Sequence, residues 1–228
     1  MKKIFIIGNW KCNPVSFKKA KRLFVSLNKG IRKNKKIEVV VCPPFIYFQS
    51  YGLKLNFSMG AQNCFWEKKG SFTGEISPLM LRDLKCRYVI IGHSERRKFL
   101  KEKNNTINKK IKACLEEGLI PILCIDKISQ LKSNLSGIVN KNKVIIAYEP
   151  ISAIGTGKAF DLSKAQKINF KIKNLLGDKQ IILYGGSVNH NNVAGFIEKS
   201  GFQGVLVGGM SLDAKGFTLI IDRVKSLI

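Results

Sequence analysis

Short runs of apolar residues recur along the chain and are separated by segments of mixed polarity. Most of these runs contain few polar residues, which is typical of strands covered on both faces. The runs are Ile4–Ile7, Ile37–Cys42, Phe57–Ala61, Tyr88–Ile91, Ile120–Cys124, Val144–Tyr148, Ile181–Tyr184 and Val205–Val207. The pattern therefore predicts a parallel sheet that is buried between other elements.

Stretches with the period of an amphipathic helix lie between most of the predicted strands. Ser16–Arg32 and Asn105–Glu117 each place apolar residues on one face and lysines on the other. A third helix is expected to end at Leu176, because Gly177 follows it. Strand and helix alternate about eight times without a linker, which predicts one (β/α)8 barrel domain over residues 1–228.

The charge of the chain is strongly unbalanced, with 40 Lys and Arg residues against 15 Asp and Glu residues and a formal charge of +25. Such a field attracts phosphorylated metabolites, nucleic acid or anionic membranes. The lysines are spread along the chain, and no basic tract interleaved with aromatic residues suggests specific nucleic-acid binding. A solvated basic surface is therefore favoured over a nucleic-acid groove.

The cysteine pattern and the apolar segments bear on the cellular compartment. The 6 cysteines form no CxxC pair, so no zinc or other metal site is expected. The apolar run Ile4–Ile7 is too short for a signal peptide, and no stretch has the length of a membrane span. These features predict a cytoplasmic protein with no membrane association.

Candidate chemistry lies where the predicted strands end, beginning with Glu149 after the sixth strand. Pro150 follows and turns the chain out of the sheet, and the glycine-rich segment 155–158 comes next. A carboxylate on a rigid strand end before a glycine-rich loop has the arrangement of a base under a lid. By itself, the segment favours the other interpretation, a buried structural glutamate before an ordinary loop.

Other strand ends carry further polar groups. Asn9 and Lys11 follow the first strand, and His93 follows the fourth strand just before a predicted helix. A helix N-terminus disfavours imidazolium, so His93 is expected to be neutral, either as a hydrogen-bond donor to substrate or as a core histidine. Gly-Gly turns at 185–186 and 208–209 favour an anion cradle at the same edge.

Several segments, in this order, closely resemble the triosephosphate isomerase family: GNWKCN, AQN with GSFTGEIS, YVIIGHSERR, AYEPISAIGTGK, YGGSV and GVLVGGMSL. The resemblance runs from Gly8 to about Leu212. It implies a TIM barrel that interconverts dihydroxyacetone phosphate and glyceraldehyde 3-phosphate in glycolysis and gluconeogenesis, with no cofactor and no metal.

The resemblance also implies roles for individual residues. Glu149 would move the carbon-bound proton and neutral His93 would polarise the carbonyl, a pairing that is established for the family. Lys11 and Asn9 would complete the catalytic set, with Glu95 and Cys124 supporting it. The implied phosphate-binding residues are Asn9, Lys11, Gly155, Ser187, Gly208 and Gly209. The loop 63–77, with Thr73 and Glu75, would join a second subunit in a homodimer.

The chain departs from the family pattern at several positions. Ser152 stands where the lid usually carries Trp, and Asp126-Lys127 replaces the usual Gly-Glu, so the lid kinetics are expected to differ. The segment from Cys124 to Glu149 is short, which predicts a shortened fifth helix around residues 129–138. Further departures are Ile181 and Gln203, which suggest a lost ion pair, and Met210, which is expected to crowd the phosphate region.

Three alternatives remain open from the sequence. One is a phosphate-binding barrel with a different substrate, which would not need Glu149, His93 and Lys11 together. Another is a basic nucleic-acid-binding protein. The third is a barrel whose altered lid no longer supports turnover.

Overall fold

A computed structural model describes residues 3–48, 54–153 and 160–228. The described residues form eight parallel strands, each hydrogen-bonded to its neighbours in sequence order, and the last strand pairs with the first. The strands are β1 (Ile4–Asn9), β2 (Ile37–Cys42), β3 (Ser58–Ala61), β4 (Tyr88–Ile91), β5 (Ile120–Ile125), β6 (Ile145–Tyr148), β7 (Ile182–Tyr184) and β8 (Gly204–Val207). The predicted closed barrel is confirmed.

Helices follow most of the strands and cover the outside of the barrel. The α-helices are α1 (Phe17–Gly30), α2 (Pro78–Asp83), α3 (Ser94–Phe99), α4 (Asn104–Glu116), α5 (Gln130–Asn134), α6 (Leu162–Leu176) and α7 (Ala214–Lys225). Short 3-10 helices occur at Phe45–Tyr47, Lys141–Lys143, Ile151–Ala153 and Gly209–Leu212, and a π-helical turn at Gly195–Lys199. None of the helices in these ranges is long and apolar enough to cross a membrane.

The predicted helices are confirmed with small changes at their ends. Helix α6 begins after Asp161, whose side chain accepts a hydrogen bond from the Lys164 amide at 2.8 Å, and it ends at Gly177 with φ +95°. Helix α5 has only 5 residues, as the short segment before the sixth strand predicts. After β8, the 3-10 helix Gly209–Leu212 comes first, and Asp213 then caps α7.

Alternating residues of the strands point to two separate apolar layers, as the period of a strand requires. The inner layer fills the barrel and the outer layer packs against the helices. Residues of the inner layer include Phe5, Ile7, Val40, Cys42, Tyr88, Ile90, Ile122, Cys124, Ile145, Ala147, Leu183 and Leu206. The barrel is therefore a packed core, and its open chemistry is confined to the loops at its ends.

The two positions where the sequence suggests a lost ion pair lie at the amino-terminal end of the barrel. Ile181 is half-buried and packs against the inner apolar layer. Gln203 instead donates a hydrogen bond from its side-chain amide to the Lys3 carbonyl at 2.9 Å. Packing and an amide contact therefore occupy the places of the charged pair at this end.

Barrel closure requires a glycine at position 204. Gly204 pairs with Phe5 across the seam between β8 and β1. A Cβ added at Gly204 would lie 2.0 Å from the Phe5 carbonyl oxygen, in a backbone conformation of φ +152°. We expect Gly204→Ala to lower the free energy of unfolding by about 3 kcal/mol or more, because backbone must move to relieve the collision. Chemical denaturation monitored by circular dichroism measures the change.

Gly118→Ala is the matched control for this prediction. Gly118 also has a positive φ, +72°, but an added Cβ there meets nothing within 4 Å. Its expected cost is only the conformational one, about 1–2 kcal/mol. Equal losses in the two variants would show that the tight approach at the seam does not limit stability.

Candidate active site

One cavity of about 380 Å³ collects the polar residues at the carboxyl ends of the strands. Among the described residues that line it are Asn9, Lys11, His93, Glu149, Ser187, Gly208 and Gly209. They come from β1, β4, β6, β7 and β8 or the loops after them. The predicted convergence of carboxylate, imidazole and ammonium is thus observed; Gly155, the remaining predicted phosphate ligand, lies outside the described residues.

Glu149 is buried, with only 2% of its surface exposed. Its amide donates to the Ile125 carbonyl at 2.8 Å, which continues the β5–β6 ladder one residue beyond β6. One carboxylate oxygen accepts from the Ser94 amide at 3.1 Å, and the other lies 3.2 Å from His93 Nε2. Both oxygens therefore have polar partners, as a buried carboxylate requires.

His93 caps the short helix α3 with its own ring. Nδ1 accepts a hydrogen bond from the Glu95 amide at 3.2 Å. A ring nitrogen that accepts from a backbone N–H carries no proton, so the ring is neutral and its proton is on Nε2. Nε2 lies 3.2 Å from Glu149 Oε1, and His93 stands at the end of the fourth strand as the sequence predicts.

Lys11 has a strained backbone, with φ +54°, which is uncommon for a residue with a side chain. Its amide donates to Asn9 Oδ1 at 3.0 Å, and its carbonyl accepts from Gln62 Nε2 at 2.8 Å. Its ammonium donates to Glu95 Oε1 at 2.5 Å. Three partners therefore hold Lys11 in one conformation at the cavity wall.

The far end of the cavity is built from β7 and β8 loops that contact the rest of the site. Ser187 donates through its amide and its hydroxyl to the Ala153 carbonyl, at 3.0 and 2.7 Å. Ser211 donates to the Gly208 carbonyl at 2.7 Å and lies 3.2 Å from the Asn9 carbonyl. These contacts connect the glycine turns to the loop after β6 and to β1.

Cys124 lies in the inner layer of the barrel next to Glu149 and is fully buried. Burial, and then the charge of Glu149, raise the pKa of the Cys124 thiol well above its ordinary value. The residue therefore stays protonated at neutral pH and adds no second negative charge beside the carboxylate.

Two of the departures from the family pattern, Asp126 and Met210, lie at the carboxyl end of the barrel. Gln130 receives hydrogen bonds from the Asp126 and Lys127 amides and donates to Asp126 Oδ1 at 2.5 Å. Asp126 thereby closes the turn that starts α5. Met210 lines the cavity, as expected, but its terminal methyl packs on Gly216, where an added Cβ would meet it at 2.4 Å.

The loop 63–77 extends from the barrel and is stabilised by its own contacts. The Phe65 ring lies 4.0 Å from Trp66 and 4.7 Å from Phe72, measured between ring centroids. Thr73 and Glu75, at the tip, are exposed and do not line the cavity. The aromatic residues of this loop therefore pack against one another.

Several contacts in the site were not predicted from the sequence. They involve the Ser94 amide, the Gln62 side chain, and Gly185, where an added Cβ would lie 2.9 Å from Glu149 Cγ. Ser94 stands in the segment with His93, but a backbone donor has no sequence signal of its own. Gln62 could have been found from its place at the end of the third strand.

Comparison with known proteins agrees with this geometry. The family model described as triosephosphate isomerase matches residues 4–224. A protein of Dehalococcoides mccartyi named triosephosphate isomerase is 43% identical over an alignment of 245 positions, gaps included, that covers 96% of each chain. Proteins with the same name from Dictyoglomus thermophilum and Clostridium tetani are each 41% identical, covering 97% of this chain and 99% and 97% of their own. The chain belongs to the triosephosphate isomerase family.

Proposed function

We propose that this protein is a triosephosphate isomerase that interconverts dihydroxyacetone phosphate and D-glyceraldehyde 3-phosphate through an enediolate, in glycolysis and gluconeogenesis. The observation that carries the proposal is the meeting of buried Glu149, neutral His93 and Lys11 in one cavity. The names of the relatives support the same activity. The reaction moves protons within one substrate, so these side chains suffice without a redox partner.

Glu149 is the base in this proposal. It removes a proton from the carbon next to the carbonyl and returns it to the neighbouring carbon, so that the enzyme ends each cycle unchanged. Its carboxylate has one oxygen on the Ser94 amide and one facing His93 in this structure, and both must exchange partners when substrate binds. Its position on the end of a paired strand limits its motion to the side chain.

His93 and Lys11 stabilise the enediolate. The Nε2–H of a neutral imidazole donates to the carbonyl oxygen and can pass the proton between the two oxygens. Lys11 supplies the positive charge, and its ion pair with Glu95 keeps the ammonium at the cavity wall. Asn9, whose Oδ1 is held by the Lys11 amide, directs its remaining amide group to the same oxygen.

The phosphate group is bound at the opposite end of the cavity, by Ser187, Gly208 and Gly209 together with Gly155 of the lid. The glycines leave backbone amides accessible, because no side chain covers them. Closing the lid over the substrate excludes water, which strengthens the charge interactions and protects the enediolate from losing phosphate.

We propose a homodimer joined through the loop 63–77, with Thr73 and Glu75 at its tip reaching the partner subunit. Exposed apolar side chains on the neighbouring loops support this: Val15 is 84% and Ile46 is 77% exposed. We also propose that the enzyme acts in the cytoplasm and that its basic surface has no specific nucleic-acid or membrane partner. The free thiols of all 6 cysteines support a reducing compartment.

The activity test is turnover of triose phosphate in a coupled dehydrogenase assay, compared between the parent protein and Glu149→Asp. We expect turnover in the parent and a loss of about 100-fold or more in kcat for the variant, because the shorter side chain withdraws the base by about 1 Å. The KM should change much less, since the phosphate end is untouched.

Glu116→Asp is the matched control, because Glu116 is exposed on α4 and makes only a loose ion pair with Lys68 at 3.9 Å. Its kcat should equal that of the parent. A parent without turnover, or a fully active Glu149→Asp, would overturn the proposed function.

The dimer is tested by Val15→Glu, which places a buried charge in the proposed interface. We expect light scattering to give twice the 25.6 kDa chain mass for the parent and the single-chain mass for the variant. The reason is that an unpaired carboxylate buried at an interface costs more than such a contact contributes.

Val139→Glu is the control for the dimer test, because Val139 is 93% exposed in the segment between α5 and β6, away from the loop 63–77. It should remain dimeric. A parent that is monomeric at micromolar concentration, or two variants with the same mass, would contradict the proposed interface.

A further inference from the structure

Arg97, on helix α3, makes three hydrogen bonds that join three elements of the barrel. Nε donates to the Gly92 carbonyl at 2.8 Å, at the end of β4. Nη2 donates to the Cys124 carbonyl at 3.2 Å, on β5. Nη1 donates to Asn104 Oδ1 at 2.7 Å, at the first residue of α4. The planar guanidinium thus bridges two strand ends, and Asn104 fixes its orientation.

The surroundings of Arg97 are shaped to the guanidinium. Gly92 has φ +70°, and an added Cβ there would lie 3.0 Å from Arg97 Nη2 and 2.9 Å from Ile107 Cδ1. A residue with a side chain at position 92 would therefore both strain the backbone and displace the guanidinium. The neighbouring Arg96, by contrast, contacts the Glu102 carboxylate at 3.3 Å and neither strand end.

We propose that Arg97 is a positioning residue for the isomerisation, which holds His93 and Glu149 at reacting distance by tying the ends of β4 and β5 together. His93 directly follows Gly92, and the Glu149 amide is bound to Ile125, which directly follows Cys124. Arg97 therefore acts on His93 through the peptide unit after Gly92. It acts on Glu149 through Ile125 and the ladder hydrogen bond that Ile125 accepts. The inference rests on the proposed function.

The positive charge of Arg97 also contributes to the positioning of the catalytic groups. Burial lowers the pKa of the Arg97 guanidinium, and Cys124, Asp126, Glu102 and Glu149 act in the opposite direction. Arginine remains protonated under these conditions, so a fixed positive charge lies behind the catalytic carboxylate. Its removal would leave two backbone carbonyls without their donor and would loosen the β4–β5 edge.

The test begins with kinetics of Arg97→Ala and Arg97→Lys. We expect kcat to fall about 100-fold in the alanine variant with KM within about threefold, because misplacement affects the reacting groups but not the phosphate end. Lysine supplies the charge but only a point donor, so it should restore a minor part of kcat. Arg82→Ala, which removes an exposed arginine paired with Glu117, is the control and should keep the parental kcat.

Rescue of the activity of Arg97→Ala by free guanidinium distinguishes a positioning role of Arg97 from a general effect on the stability of the protein. Arg97 also lines an open cavity of about 530 Å³ that reaches Lys11, so a small cation can enter the vacated site. Guanidinium chloride, well below concentrations that unfold the protein, should raise kcat of Arg97→Ala at least about tenfold toward the parental value. Sodium chloride at the same concentration should not raise the kcat of Arg97→Ala. Guanidinium chloride should not raise the kcat of Glu149→Asp.

A spectroscopic measurement tests Arg97 even if turnover fails for another reason. The chain has only 2 histidines, so nitrogen-15 spectra of histidine-labelled protein can be assigned with His190→Gln. The parent should show His93 protonated on Nε2, with Nδ1 accepting a hydrogen bond. Arg97→Ala should shift or broaden these signals, and Arg82→Ala should leave them unchanged.

The outcomes are separable. A parent without turnover would overturn the proposed function. The histidine spectra would then show whether Arg97 still positions His93. An Arg97→Ala variant with parental kcat, with a loss that guanidinium does not relieve, or with unchanged His93 signals would overturn the positioning role.

Discussion

The site depends on closure of the barrel at the seam between β8 and β1. Lys11 and Glu149 are far apart in sequence, and only a closed ring of strands brings β1 to within one cavity of β6. Closure requires the close approach of Gly204 to Phe5, because no side chain fits there. Glu149 then follows its strand directly, and Lys11 and His93 each come two residues after theirs, so the three side chains lie at one edge of the barrel.

Within that frame, the protonation of His93 is determined by a single backbone contact. The Glu95 amide occupies Nδ1, so the imidazole is neutral where its Nε2 lies 3.2 Å from the buried Glu149 carboxylate. A charged imidazolium would form a strong ion pair with Glu149 and weaken it as a base. The neutral ring instead supplies a donor that can be redirected to substrate, while Lys11 carries the positive charge of the site.

The sequence predicted the strands closely because their two covered faces make them apolar throughout, and the predicted boundaries agree within one or two residues. It also predicted the residues at the strand ends, since the carboxyl ends of parallel strands share one edge. The contacts of Gln62 and of the Ser94 amide were not predictable in the same way. They depend on loop conformations, and an amide donor is present at almost every residue.

The positions where this chain differs from its family lie outside the set of backbone contacts that hold the reacting groups. Ser152 is in the loop after β6, and Asp126 and Gln130 bind each other at the turn into α5. Ile181 and Gln203 lie at the opposite end of the barrel from the cavity. By contrast, Glu149 and His93 are each held by main-chain groups, and the Lys11 main chain is held by the Gln62 and Asn9 side chains. Because main-chain groups persist through side-chain substitution, the periphery can change while Glu149 and His93 keep their places, whereas the place of Lys11 depends on Asn9, Gln62 and Glu95.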